Sequence, residues 1–428
     1  MFESISITAK GARSSLPLGM QWVRRRMLAH CLIPILLPSG AAAEGLKLAS
    51  DLSFSGFGTL GLTHSSTDEA EFRRDILQPR GVTNNWSGDV DSRIGLQVNA
   101  RLNAEIDGMA QAVSSYDHAG SYRPELTWAF VRYSPSPSFE VRAGRLGADV
   151  YMRADSRNIG YSNLWVRPPV EYFGQLQISH IDGADAVYRL DFDGGIASAK
   201  LYAGRARQKI PVRPGEDYDL DGTRVLGSNL DYQKGAWQFR AGYTSLRLKS
   251  EVPVSIPLLD ALRESGSPAA VGIAADLSFV GKTLKLLSAG VIYESGTWQS
   301  QLMFNRLISN TVSYPQKDSG YFLLGYRSER WTPFAMLAVT RSKSTTRATG
   351  LPTPNPLDAA VSTALANGQS RQRTQSLGVR YDLVQRANLT FQLDRVKVQD
   401  NATLLWRNPQ PGWNGRATIF SMTLDFVF

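Results

Sequence analysis

The chain has 428 residues, a formal charge of +9, 43% hydrophobic and 10% aromatic residues, 37 glycines and one cysteine, Cys31. Mean hydropathy is −0.22; after Glu44 no run of 18 apolar residues occurs, which excludes transmembrane helices. A lone cysteine excludes a disulfide framework, and without a basic run or an aromatic stacking motif the positive charge does not point to nucleic acid.

The N-terminus reads as a secretory signal over residues 1–43. Arg24, Arg25 and Arg26 precede an apolar stretch, Met27 to Leu37, that is too short to span a bilayer; Ala41-Ala-Ala43 then offers a small-residue cleavage site. Removing that segment takes away Cys31, five basic residues and one acid, leaving 42 − 37 = +5 on residues 44–428. An exported chain of this size without cysteine needs another source of stability, and a closed hydrogen-bond ladder would supply it.

From Leu52 onward, segments of about ten alternating residues recur, the signature of strands that cross a membrane. Leu52 to Thr63 is the first, with Gly56, Gly58 and Gly61 placed for curvature or close packing. Ser92 to Ala104 is the second. Its outward row is Ile94, Leu96, Val98, Ala100 and Leu102; its inward row is Arg93, Gln97, Asn99, Arg101 and Asn103. Trp237 to Thr244 and Gln375 to Leu383 repeat this two-faced pattern. Thr283 to Glu294 and Trp331 to Arg341 are apolar on both rows, which a contact with another subunit would explain. At the end of the chain Phe420, Met422, Leu424, Phe426 and Phe428 oppose Ser421, Thr423 and Asp425. Trp128, Tyr133, Trp237, Trp298, Tyr321, Trp331 and Phe428 fall near strand ends, as interfacial girdles require.

Short turns such as Asp193–Gly195, Lys234–Ala236 and Val384–Ala387 alternate with long connections such as Asp149–Asp182, Ser250–Val280 and Ser344–Arg373. Within the last, Pro352 to Asn367 carries a weak helical pattern. The expected fold is therefore all-β: a transmembrane antiparallel barrel of about sixteen strands, with short turns at one end, long loops at the other and a water-filled interior.

One connection stands out. Residues 149–182 are too long for a hairpin and hold Tyr151, Tyr161, Trp165, Tyr172 and Phe173, which favour burial. Folding inward would bury them and narrow the pore. Arg142-Ala-Gly-Arg145, Asp155-Ser-Arg-Asn-Ile-Gly-Tyr161, Trp165-Val-Arg-Pro-Pro-Val-Glu-Tyr172 and Asp182-Gly-Ala-Asp185 resemble the Gram-negative, proteobacterial outer-membrane porins. In those proteins an inward-folded third loop follows the fifth strand, and the terminal Phe428 is similar to their assembly signal. The resemblance implies a homotrimer in outer-membrane lipid that passes small hydrophilic solutes and ions. General porins set an acidic loop against an arginine ladder. Here Asp149, Asp155, Glu171 and Asp182 are mixed with Arg153, Arg157 and Arg167, which puts a strong transverse field in doubt.

The expected wall of the constriction carries Arg93, Arg101, Arg142, Arg189, Lys200, Arg240 and Arg380, joined by Arg145 if Gly144 bends its strand. Rings of cations favour anions, unless each pairs with a lumen acid such as Glu140, Asp185, Asp191 or Asp382. The constriction loop itself contributes Asp149, Arg153, Asp155, Arg157, Tyr161, Trp165, Arg167 and Glu171. No histidine or cysteine spacing suggests a metal, no cofactor motif stands in a fitting context, and no enzyme activity is expected. The expected function is passive diffusion, with an anion preference in prospect. The alternatives are a channel specific for organic anions or saccharides, and a barrel hydrolase using His118 or His180 beside a serine, or a structural barrel.

Overall fold

The computed structural model describes residues 51–174 and 178–428; the expected signal lies outside the described residues. Sixteen antiparallel strands form the wall: β1 Asp51–Ser65, β2 Arg93–Arg101, β3 Ile106–Ser115, β4 Glu125–Ser136, β5 Phe139–Gly147, β6 His180–Phe192, β7 Gly195–Ala206 and β8 Thr223–Lys234 in the first half; β9 Trp237–Arg247, β10 Thr283–Glu294, β11 Trp298–Ser309, β12 Lys317–Tyr326, β13 Trp331–Ser342, β14 Ser370–Val384, β15 Ala387–Thr403 and β16 Arg416–Val427 in the second. Every strand pairs with its sequence neighbours, and β16 closes on β1 from Phe57↔Val427 to Ser65↔Ile419. Closure leaves no open edge, so every spanning backbone group meets a partner on the wall.

The alternation expected at the end of the chain is present. Ser421, Thr423 and Asp425 are buried toward the interior, whereas Phe420 is exposed on the outward row. The glycines of β1 serve close approach: the Phe428 ring lies over Gly56 and the Phe426 ring over Gly58, leaving no space for a Cβ at either.

The long connections all lie at one end and are structured. Ile256–Glu264 and Pro268–Leu277 are helices, and Pro356–Asn367 is the helix hinted at by its pattern. Leu259, Leu262, Ile273, Leu277, Val361 and Leu365 form their shared core. Glu71–Phe72 pairs with Trp406–Arg407, and Lys209–Arg213 with Glu216–Asp219, adding two small sheets at the same end.

Candidate pore and its inward segment

The connection between β5 and β6 runs down inside the barrel. It begins after Gly147 and ends before His180, so His180, Ile181 and Asp182 belong to the wall rather than to the loop. Asp149 starts the descent, accepting from Lys200 Nζ at 2.9 Å and Arg240 Nη1 at 2.6 Å. Burial pushes the Asp149 carboxyl up, but Lys200 and Arg240 outweigh it and hold the group below its ordinary range. Arg153, with φ +66°, pairs with Glu294 at the short-turn end of β10. Tyr161 donates to the carbonyl of Gln385 in the β14–β15 turn, so the segment reaches the opposite rim.

The return limb is anchored more heavily. Arg380 donates to the carbonyls of Tyr161 and Asn163 at 2.7 and 3.0 Å. Arg167 is buried, binding Asp91 at 2.6 and 3.0 Å and Asp394 at 3.2 Å. Burial pushes the Asp91 carboxyl up; Arg167 and Arg74 outweigh it and hold the group down. Glu171 sits on the one-turn helix Val170–Phe173 and accepts from Gln372 Nε2 at 2.7 Å and from the Thr374 hydroxyl. There burial wins over these bonds and raises the carboxyl.

Trp165, Tyr172 and Phe173 pack against Tyr321 of the wall and Tyr151 against Tyr172 and Phe173, with Tyr151–Tyr172 centroids 5.2 Å and Trp165–Tyr321 centroids 5.6 Å apart. Two expectations change here. The inner rows of β10 and β13 are apolar because Leu286, Ile292, Phe334 and Met336 pack onto this cluster; their double apolarity needs no second subunit. Tyr321 faces the same cluster and so does not join a girdle.

The segment therefore lies against the wall from Lys200 of β7 around to Thr63 of β1, and reaches the edge of β2 where Arg93 Nη1 donates to Asn158 Oδ1 at 3.5 Å. The other side stays open. Gln97, Asn99, Glu140 and Arg142 are half-buried on the inward rows of β2 and β5. Above them is a cavity of about 530 Å³, bounded by Arg74, Arg93, Thr127, Arg157, Asn158 and Gln208 among others.

Most of the expected wall cations have carboxylate partners. Arg142 binds Asp185 at 2.9 Å, Arg189 binds Glu140 at 3.1 Å, Lys200 reaches Asp149 and Asp185, Arg240 holds Asp149 and Asp231, and Arg380 binds Asp382 at 2.8 Å. Arg145 departs from the expected position. It binds Asp182 at 2.7 Å three residues beyond the Arg142–Asp185 pair on both strands, which places it on the outward row. Among the described residues, Arg93, Arg101 and Arg157 make no ion pair within 4.0 Å. Arg101 is exposed at the short-turn mouth; Arg93 donates to the Asp91 carbonyl at 3.0 Å; Arg157 is buried with Nη1 unpartnered at the cavity. Asp155 is exposed on the segment.

Asp91 and Arg74 escaped the sequence reading because they lie just before the second strand and in a loop. Asp91 could have been found: it continues the inward row of Arg93 by one step of two. The two histidines are placed unequally. His118 pairs with Asp217 at 2.9 Å. Ser179 Oγ and Glu125 both approach Nδ1 of His180, at 3.2 and 3.5 Å, whereas its Nε2 has no partner. A nucleophile relay needs its two partners on different ring nitrogens.

No protein-family model matches the sequence, and no curated protein matches it. Solved structures do. OmpF of Salmonella typhi, in complex with daunomycin, aligns with a TM-score of 0.53 at 11% identity, over 88% of this chain and 97% of that one. The outer-membrane channel DcaP of Acinetobacter baumannii gives 0.53 at 12% identity, over 91% and 100%. An anion-selective porin from Comamonas acidovorans gives 0.52 at 13% identity, over 88% and 99%. At such identities the likeness is one of fold: the chain has the architecture of Gram-negative outer-membrane barrels.

Proposed function

We propose that the protein is an outer-membrane channel through which small hydrophilic solutes and ions diffuse. One observation carries this reading: the inward segment is pinned to the wall from β7 around to β1, while the β2–β6 side keeps a polar, half-buried lining beneath a cavity of about 530 Å³. Solutes are sieved between the segment and this wall, with no covalent step.

An anion preference is the finer reading. Among the described residues Arg93 and Arg157 have no carboxylate within 4.0 Å, and with Arg123, Arg207 and Lys209 they outnumber the acids Asp75, Asp117 and Glu125 on the cavity lining, whereas Arg142, Arg189, Lys200, Arg240 and Arg380 are paired. A homotrimer is supported by a shallow outward groove of small residues, including Ala100, Ala110, Ala129 and Ala143, on β2–β5. A hydrolase is disfavoured by the shared Nδ1 at His180.

The test is single-channel recording of the purified protein in a planar bilayer under a salt gradient. Stable open steps with an anion-favouring reversal potential are expected. Absence of current from folded barrel would overturn the reading.

A further inference from the structure

The two ends of the outward face differ in chemistry. At the short-turn end ring pairs stand on neighbouring strands: Trp237 with Tyr293, Trp298 with Tyr326 and Trp331 with Tyr381, centroids 4.7, 4.9 and 4.4 Å apart. At the long-loop end the same rows end in cations. Trp237 and Arg247 share one outward row of β9, ten residues apart. At ~3.4 Å per residue and a tilt of ~40°, that is a rise of roughly 26 Å, the height of a membrane barrel's apolar band. Arg247 thus stands at headgroup level.

The cations there face one another. Arg224 lies directly opposite Arg205 on one side and Arg247 on the other. All three are exposed and continue the outward rows of Leu201, Leu226 and Tyr243. Like charges directly opposite across a ladder, with Cβ atoms ~5 Å apart, destabilise a sheet. Among the described residues none of the three has an ion pair within 4.0 Å. Asp182, opposite Arg205 in the register, is taken by Arg145 at 2.7 Å and Arg207 at 3.3 Å. A second line repeats the arrangement: Lys397 lies opposite both Arg373 and Arg416, again exposed and outward. Three adjacent guanidinium forks match the oxygens of a phosphate group, and one anion between them turns mutual repulsion into attraction.

We propose that the line Arg205–Arg224–Arg247 docks the phosphorylated headgroup of a lipid in the surrounding leaflet, with its acyl chains lying along the apolar rows below. The cations sit at the head of continuous lipid-facing rows, which suits a lipid rather than a free phosphate ion. The inference rests only on the membrane-barrel reading; conductance in a neutral bilayer would report a failure of the channel reading separately.

The test uses the full folded chain in uncharged detergent. The probes are a bis-phosphorylated lipid A, the same lipid without phosphates, and inorganic pyrophosphate; retention is read by native mass spectrometry. The wild type is expected to retain the phosphorylated lipid and release the phosphate-free one. The triple variant Arg205→Gln, Arg224→Gln, Arg247→Gln is expected to bind on the order of a hundredfold more weakly, from roughly fivefold per cation, and Arg224→Gln alone to lose several-fold. In lipid-free detergent the triple variant is expected to melt no lower than the wild type, since repulsion has been removed. Equal retention by folded variant and wild type, equal binding of phosphate-free lipid, pyrophosphate binding that matches the lipid's, or a lower melting temperature without lipid would each overturn the proposal.

Discussion

Replacing both Arg93 and Arg157 by glutamine tests where ions pass and what selects them. A sphere of the cavity's volume of about 530 Å³ has a radius of about 5 Å, so each guanidinium stands ~6 Å from a passing ion. In water a unit charge at that distance is worth about 0.7 kcal/mol, and physiological salt leaves roughly half of it. An anion gains and a cation loses that amount, so each arginine changes the permeability ratio about threefold, and the pair about tenfold. Under a salt gradient of about tenfold this moves the reversal potential toward cations by on the order of 40 mV. The folding cost is small: Arg157 has no ion pair to lose, and Arg93 gives up bonds to a backbone carbonyl at 3.0 and 3.2 Å and a long one to Asn158 Oδ1 at 3.5 Å. The assay is reversal potential in planar bilayers, with folding checked by heat-modifiable gel mobility. A folded double variant whose potential stays within a few millivolts of the wild type would refute the placement of the passage. Arg145→Gln is the control; its outward position predicts no shift.

Two further outcomes follow from the segment's anchors. Asp149 and Asp91 are held below their ordinary value of 3.8; a depressed carboxyl contributes stability that is present above the unfolded value and lost as pH falls through the folded one. These two groups should therefore leave the reversal potential unchanged from neutrality down to about pH 4 and shift it toward anions only below that, as Lys200, Arg240 and Arg167 each lose one partner. Glu171 has the opposite sign. Its raised carboxyl costs stability as pH rises above its unfolded value of 4.5, so Glu171→Gln should raise the melting temperature at neutral pH and leave it unchanged near pH 4; a fall at neutral pH would sink this. Trp165 is 1% exposed within the aromatic cluster, and Trp165→Ala should cost about 3–5 kcal/mol, read as a lower melting temperature and noisier channel steps, with quiet wild-type steps counting against the role.

The barrel was legible because its signal is local. A period of two survives in strand after strand, and Arg93, Gln97 and Asn99 could be assigned a face from spacing alone. Partners were not legible, because a partner depends on register. Arg142 meets Asp185 forty-three residues away, and Arg167 meets Asp394 two hundred and twenty-seven away; nothing in either neighbourhood announces the pairing. The inner rows of β10 and β13 misled for the same reason, since their apolarity answers a cluster folded in from β5 rather than a neighbour outside. Arg145 shows how narrow the margin is. Counting by twos from Arg142 reaches Gly144, a residue that raised the prospect of a bend carrying Arg145 inward; its φ is +132°. The β6 strand alternates in step, Asp185 then Asp182, and the outward register is kept.

That distinction decides the field inside the pore. A wall counted from sequence holds many arginines and suggests a steep anion well. Pairing converts most of them into dipoles, whose potential falls faster with distance than a charge's and is screened by the same salt. What survives at the cavity, where Asp75 and Glu125 also line the wall, is the charge of groups that pairing leaves unmatched. Arg93 is one: its cross-strand partners are Thr59 and Ser115, so it has no acid to meet. On the proposed channel reading, selectivity depends less on how many cations face inward than on which of them the register leaves opposite a hydroxyl.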